Sequence, residues 1–102
     1  MLDHVETTTI FDRNIKKLAK KHYDLTKLRR VIQIIQMEDQ LTLQKDYHLH
    51  TLKGDKAGIY ELHLERNWLL LYQITGTTEL TLLLLRTGTH DIICLLYTSP
   101  SP

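Results

Sequence analysis

The sequence has one cysteine and no long apolar run. Cys94 has no partner within the 102 residues, so an internal disulfide is excluded. No apolar stretch approaches the roughly 20 residues of a transmembrane helix, and MLDHVETTT lacks the basic and apolar regions of a signal peptide. The apolar fraction of 42% and the charged fraction of 25% are typical of soluble globular proteins. We therefore expect one folded cytoplasmic domain that does not associate with membranes.

Positive charge is concentrated near the N-terminus, although the net charge is only +1. Between residues 12 and 30 the carboxylates Asp12 and Asp24 oppose a set of basic side chains: Arg13, Lys16, Lys17, Lys20, Lys21, Lys27, Arg29 and Arg30. Such a run is usually the solvated face of helices. The alternative is a contact surface for an RNA backbone or an acidic partner.

Helical periodicity covers the first 38 residues. Thr9 and Asp24 are predicted N-caps of two amphipathic helices, over about residues 10–22 and 25–38. The basic side chains fall largely outside their apolar stripes, and a short strand is predicted over residues 4–8. The sequence therefore predicts an N-terminal helical hairpin.

The second half of the chain has the patterns of a sheet. Residues 40–58 lack periodicity and are predicted to form a long functional loop. Strands are predicted over 59–64, 68–74 and 79–85, with a hairpin turn at Gly76. Alternation in the first of them places Tyr60, Leu62 and Leu64 on one face, and Glu61 and His63 on the other.

The apolar run 82–85 predicts a central strand covered on both faces. Helices followed by a strand meander indicate an α+β fold, with the hairpin packed on a mainly antiparallel sheet.

Groups suited to phosphate chemistry lie beyond the helices. They are His48, His50, Lys53, Lys56, His63, Arg86 and His90. Imidazoles exchange protons near neutral pH, and guanidinium and ammonium groups bind phosphate. Such a set can cleave RNA without a metal ion: one group deprotonates the ribose 2′-OH, cations stabilise the phosphorane, and another group protonates the leaving oxygen.

Each of these residues also has a simpler interpretation. His48 and His50 could be two ligands of one metal ion, but no cysteine pair and no arrangement of carboxylates accompanies them. We therefore expect no metal and no other cofactor. His63 alone could be a surface histidine. Trp68 is usually a core residue at such a position, although a tryptophan can also stack on a base.

Three separated segments resemble one family. HTLKG (50–54), GIYELHLERNWLLLYQI (58–74) and LLRTGTHDII (84–93) are similar to the YafQ branch of the RelE/ParE toxins of bacterial type II toxin–antitoxin systems. The resemblance spans about residues 9–93. It implies a RelE-like fold, with two helices on a curved antiparallel sheet, and an endoribonuclease that cuts mRNA on the ribosome without a metal. The implied partners are mRNA, the ribosome and a RelB/DinJ-like antitoxin in a hetero-oligomer.

The resemblance also implies the site residues. His50, His63, Arg86 and His90 correspond to the catalytic set, with His90 as general acid and Arg86 stabilising the phosphate. Lys53, Asn67 and Trp68 are expected to bind substrate. Lys16, Lys17, Lys20, Lys21, Arg29 and Arg30 are the expected contacts to RNA or the ribosome.

The chain departs from the family pattern at two places. Asn67 stands where the family has an aspartate before the tryptophan, and an amide does not accept a proton as a carboxylate does. Cys94 stands where the family has a phenylalanine that helps to hold the base. We expect a toxin domain over residues 1–93 and a disordered tail over 94–102. The departures favour an alternative function, a weakened toxin that mainly binds its antitoxin in a co-repressor complex.

Overall fold

Three helices pack on a five-stranded sheet. The elements, in chain order, are β1 (His4–Thr7), α1 (Thr9–Lys20), α2 (Leu25–Gln36), α3 (Gln40–Tyr47), β2 (His50–Thr51), β3 (Ile59–Glu65), β4 (Trp68–Thr75) and β5 (Thr81–Gly88). The computed structural model describes residues 2–52 and 58–89. The strand order is β1-β5-β4-β3-β2, and every neighbouring pair is antiparallel except β1 with β5. The predicted α+β class, helical hairpin and mainly antiparallel sheet are confirmed.

Both long helices begin at side-chain caps. The hydroxyl of Thr8 accepts a 3.0 Å hydrogen bond from the amide of Phe11, so the cap of α1 is Thr8 and not Thr9. The same hydroxyl donates to the carbonyl of Leu85 at 2.7 Å, which ties the start of α1 to β5 and favours the earlier cap. Asp24 caps α2 as predicted, because its carboxylate accepts from the amide of Thr26 at 3.1 Å.

The core lies between the helices and one face of the sheet. It is formed by buried apolar residues of all three helices and of strands β3 to β5, namely Phe11, Leu18, Leu28, Val31, Ile35, Leu43, Leu62, Trp68, Leu70, Tyr72, Leu82 and Leu84. Tyr60 and Leu64 pack against this core, so the predicted alternation of β3 is confirmed. Burial raises the pKa of the Tyr72 hydroxyl, which keeps this core residue neutral.

The strand covered on both faces is β4, the middle strand of the sheet. Its first five residues, 68–72, are buried, whereas Leu83 and Leu85 of β5 are only partly buried. The prediction that residues 82–85 form the doubly covered strand is therefore wrong. Since β5 has only the exposed strand β1 as its outer neighbour, it is less enclosed than β4.

The predicted loop over residues 40–58 is wrong for its first part. Residues 40–47 form α3, whose cap Asp39 accepts a hydrogen bond from the amide of Thr42 at 3.3 Å. Only Leu43 of this helix is buried, so the sequence carries no apolar stripe that would have indicated it. His50–Thr51 forms the short edge strand β2.

The predicted hairpin turn is confirmed, whereas the predicted end of the last strand is not. The turn at Gly76 is confirmed, and its φ of 104° favours glycine because a Cβ would collide with the carbonyl oxygen of Glu79. Arg86 and Gly88 belong to β5, so this strand continues beyond the predicted end at Leu85. None of the helices in the described ranges has the length and apolarity to cross a membrane. The predicted tail over residues 94–102 lies outside the described residues.

Candidate functional site

Four neighbouring strands place a row of residues across the sheet. His50 of β2 pairs with Glu61 of β3, Glu61 pairs with Leu71 of β4, and Leu71 pairs with Arg86 of β5. Directly paired residues point to the same face of a sheet. Leu71 packs outside the helix-facing core, so this row lies on the face opposite the helices. His63 joins it, because it is two residues beyond Glu61 on the same strand.

A β-bulge in β5 turns Arg86 toward this row. Leu71 pairs with Arg86 while the next residue, Tyr72, pairs with Leu84, so β5 has one additional residue, Leu85. Leu82 and Leu84 lie in the helix-facing core, and strict alternation would point Arg86 the same way. The additional residue reverses the alternation, as bulges beside functional sites commonly do. The bulge therefore brings Arg86 onto the face of Glu61 and His63.

Glu61 lies between two imidazoles. Its Oε1 is 2.8 Å from Nε2 of His50 and 3.9 Å from Nε2 of His63. The side chains of His50, Glu61 and His63 are 50%, 17% and 33% exposed, so the carboxylate is the most enclosed group and both rings reach solvent. The expectation that no carboxylate accompanies the loop histidines is therefore wrong. The β-alternation that placed Glu61 beside His63 was the signal that could have identified it.

A third histidine, His48, lies beside His63. The rings of His48 and His63 meet edge-on with centroids 6.1 Å apart, and the rings of His50 and His63 are 6.3 Å apart. His48 ends α3 in the left-handed conformation, with φ 52°. A cleft of about 410 Å³ opens here, lined by Asp46, His48, His63, Leu64, Glu65 and Arg66. Its volume falls within the roughly 300–1,000 Å³ of small-molecule sites.

Trp68 and Thr87 support the site from the core. The indole nitrogen of Trp68 donates to the Thr87 hydroxyl, and the amide of Thr87 donates to the side-chain oxygen of Asn14 at 3.2 Å. Trp68 is 0% exposed, so the core interpretation of this residue applies and its ring is not available for stacking on a base. The sequence did not indicate Asn14 or Thr87 as parts of this support.

The other residues predicted for the site are exposed or lie outside the described residues. Asn67 is exposed in the turn between β3 and β4. Lys53 and His90 lie outside the described residues. The six predicted RNA contacts on α1 and α2 and in the turn between them are all exposed: Lys16, Lys17, Lys20, Lys21, Arg29 and Arg30.

One ion pair links the helical hairpin to the strand that carries the site. Nζ of Lys27 in α2 is 2.7 Å from Oε2 of Glu65 at the end of β3. The hydrogen bond and the negative charge of Glu65 raise the pKa of Lys27. Because both side chains are about half exposed, at 52% and 44%, the pair contributes little to stability.

The comparisons with known proteins agree on one family. The family model described as "Bacterial toxin of type II toxin-antitoxin system, YafQ" matches residues 3–94. The mRNA interferase toxin YafQ of Escherichia coli K12 is 30% identical over 86 residues, which cover 84% of this chain and 89% of that protein.

Solved structures share the fold. A metal-bound toxin from Helicobacter pylori is 36% identical with a TM-score of 0.80, covering 91% of this chain and 99% of that one. The toxin of the E. coli DinJ–YafQ toxin–antitoxin complex is 28% identical with a TM-score of 0.76, covering 91% of this chain and 98% of its own.

Proposed function

This chain belongs to the YafQ family of toxins of bacterial type II toxin–antitoxin systems, and we propose that it is an mRNA interferase that cuts mRNA on the ribosome. The observation that carries the proposal is the row across the sheet, in which His50, Glu61 and His63 share one face with Arg86. A sheet face that carries both proton-transfer groups and a guanidinium can catalyse RNA cleavage by acid–base chemistry and charge stabilisation.

The reaction needs no metal ion in this proposal. The ribose 2′-oxygen attacks the neighbouring phosphorus while a base removes its proton, and the 5′-oxygen leaves with a proton from an acid. Arg86 binds the phosphate oxygens and stabilises the charge that grows in the transition state. His50 and His63 position the phosphate or transfer protons. His90 remains the predicted general acid, on the resemblance alone.

Glu61 is a positioning residue in this scheme. Its Oε1 lies 2.8 Å from Nε2 of His50 and 3.9 Å from Nε2 of His63, so the carboxylate orients both imidazole rings. A carboxylate that orients an imidazole is a recurring arrangement in acid–base catalysis. The adjoining cleft beside His48 takes the nucleotide next to the cut.

The basic face of α1 and α2 supplies the contact to nucleic acid. Lysines and arginines there are exposed on the solvent side of the helical hairpin. Each neutralised phosphate releases counterions, so binding to ribosomal RNA weakens as salt rises. The relative in the DinJ–YafQ complex has an antitoxin bound, and an antitoxin of the DinJ type is the proposed protein partner in a hetero-oligomer.

A second candidate is a weakened toxin that serves mainly as an antitoxin-binding partner. Asn67 favours it, because this exposed turn residue follows β3, which carries Glu61 and His63, and cannot act as a base. If cleavage by the native chain is weak, Asn67→Asp should restore it. Unchanged weak cleavage in that variant would assign the loss elsewhere.

Inducible expression in bacteria, with mapping of mRNA 5′ ends, tests the proposal. The native chain should arrest growth and cut translated messages, and Arg86→Gln or His90→Ala should abolish both effects. Lys45→Gln is the matched control, because Lys45 is an exposed cation of α3 outside the basic face of α1 and α2, and this variant should keep full activity. Normal growth with folded, soluble native protein would contradict the interferase proposal and favour the second candidate.

A further inference from the structure

Strand β1 ends before β5 reaches Arg86. The last residue of β1, Thr7, pairs with Leu84, and the amide of Thr8 donates one more bond to the carbonyl of Leu84 at 3.2 Å. Beyond Leu84, the outer edge of β5 has no strand neighbour among the described residues. An unpaired backbone N–H or C=O group that is shielded from water destabilises a fold, so this edge needs other partners.

Two side chains at the start of α1 bind that edge on either side of Arg86. The hydroxyl of Thr8, the N-cap, donates to the carbonyl of Leu85 at 2.7 Å. The side-chain oxygen of Asn14, in the second turn, accepts from the amide of Thr87 at 3.2 Å. Since Asn14 is 6% exposed and Thr87 is 0% exposed, the second bond is shielded from water.

The first of these bonds lies at the bulge itself. Leu85 is the additional residue of β5, and the additional residue of a bulge has no partner in the ladder. If β5 paired with β4 without the bulge, strict alternation would point Arg86 toward the helix-facing core. We propose that Thr8 and Asn14 are positioning residues, whose hydrogen bonds keep the bulge in place and so keep the guanidinium of Arg86 on the face opposite the helices.

This role rests on the proposed function, in which Arg86 stabilises the charge that grows on the phosphate. The N–H groups of a guanidinium form a planar fork, so their hydrogen bonds to phosphate depend on the orientation of the side chain. A misplaced group stabilises the transition state less well. Because the charge develops in the transition state, loss of either bond should lower kcat and leave KM nearly unchanged.

Thr8→Asp removes the bond to Leu85 and keeps the cap of α1. A carboxylate accepts the bond from the amide of Phe11 as the hydroxyl does, but the ionised group has no hydrogen to donate to a carbonyl. On ribosomes programmed with mRNA, we expect kcat to fall about tenfold in this variant and in Asn14→Leu. Thr8→Ser keeps both bonds of the hydroxyl and should retain the native kcat.

The matched control is Thr26→Val. It also removes a threonine hydroxyl from the first turn of a helix, but this hydroxyl bonds to Asp24, the cap of α2, so kcat and KM should not change. In an Arg86→Gln background, neither Thr8→Asp nor Asn14→Leu should slow the residual single-turnover cleavage further, because no guanidinium remains to be positioned. Equal losses with and without Arg86 would overturn the proposal.

NMR of the whole chain tests the bulge independently of cleavage. Thr8→Asp and Asn14→Leu should weaken the NOE contacts between the paired residues Leu71 and Arg86, and the Thr87 amide should exchange at least about tenfold faster in Asn14→Leu. Unchanged contacts, or a native kcat after the contacts are lost, would overturn the proposal. If Arg86→Gln cleaves as fast as the native chain, the proposed role of Arg86 fails, whereas the NOE contacts still decide whether Thr8 and Asn14 keep the bulge.

Discussion

The indole nitrogen of Trp68 donates a 2.9 Å hydrogen bond to the hydroxyl of Thr87, and both side chains are 0% exposed. The Thr87 hydroxyl in turn donates to the carbonyl of Leu69 at 2.9 Å. Thr87 directly follows Arg86, so this buried network holds the strand segment that presents the guanidinium. A supporting role for Trp68 thus replaces the predicted contact with a base.

Replacement of Thr87 by valine should destabilise the fold. Thr87→Val keeps the shape but leaves the indole N–H and the Leu69 carbonyl without their partner, at a cost of about 1–3 kcal/mol in the free energy of unfolding. Urea denaturation measures this change. Thr87→Ser is the control, because it keeps both hydrogen bonds and loses only one methyl group. Equal stability of the two variants would show that the hydroxyl network does not stabilise the fold.

Loss of the charge on Glu61 should impair cleavage more than folding. Glu61→Gln keeps the size of the side chain and removes the carboxylate that faces both histidines, so we expect the cleavage rate to fall by roughly 10²-fold. The loss should appear mainly in kcat, because Glu61 orients the two rings and does not itself bind the RNA.

The matched control for this variant is Glu79→Gln, which removes a carboxylate from the exposed pair with His4. It should leave both kcat and KM unchanged. A loss of activity in Glu61→Gln that matches an equal loss of folded protein would indicate a purely structural role.

The elements with strong periodicity could be predicted from the sequence. The apolar stripes of α1 and α2 repeat over several helical turns, and the alternation of β3 repeats over several residue pairs. The predicted bounds of these three elements lie within a few residues of the observed bounds. Helix α3 could not be found in this way, because its single buried residue, Leu43, produces no stripe. Its capping aspartate was the remaining local signal.

Part of the site also could not be predicted. The face of Arg86 depends on the bulge in β5, and the bulge depends on the pairing between β4 and β5 rather than on local composition. The contact between His50 and Glu61 likewise depends on β2 joining the sheet edge. Sequence patterns identified the histidines, whereas long-range register determined which carboxylate would meet them.

Acid should destabilise the fold partly through Asp24. Hydrogen bonds from the hydroxyl and then the amide of Thr26 lower the pKa of Asp24 below its ordinary value of 3.8. A lowered pKa in the folded state means that the cap stabilises α2 above the ordinary pKa and that this contribution is lost as pH falls through the folded-state value. Thermal unfolding between pH 2 and 6 should show this loss.

Asp24→Asn is the matched variant for this measurement. Asparagine is as good an N-cap as aspartate, but it does not titrate. The difference in melting temperature between the two proteins should therefore change below pH 4 and stay constant above pH 5. A constant difference over the whole range would mean that Asp24 does not contribute to the acid sensitivity.

His48 should determine how well the neighbouring nucleotide is held. Its ring lines the cleft and meets His63 edge-on, and stacking of a base on an aromatic ring is worth about 1–3 kcal/mol. His48→Asn should raise KM for RNA about tenfold and change the preferred cleavage sites, with little change in kcat. Asparagine tolerates the left-handed conformation at this position, so the fold should be kept. The control is His22→Asn, because His22 also has a positive φ, 62°, and is exposed at the end of α1, away from the cleft. Equal KM values and cleavage patterns for the two variants would exclude the cleft as a nucleotide site.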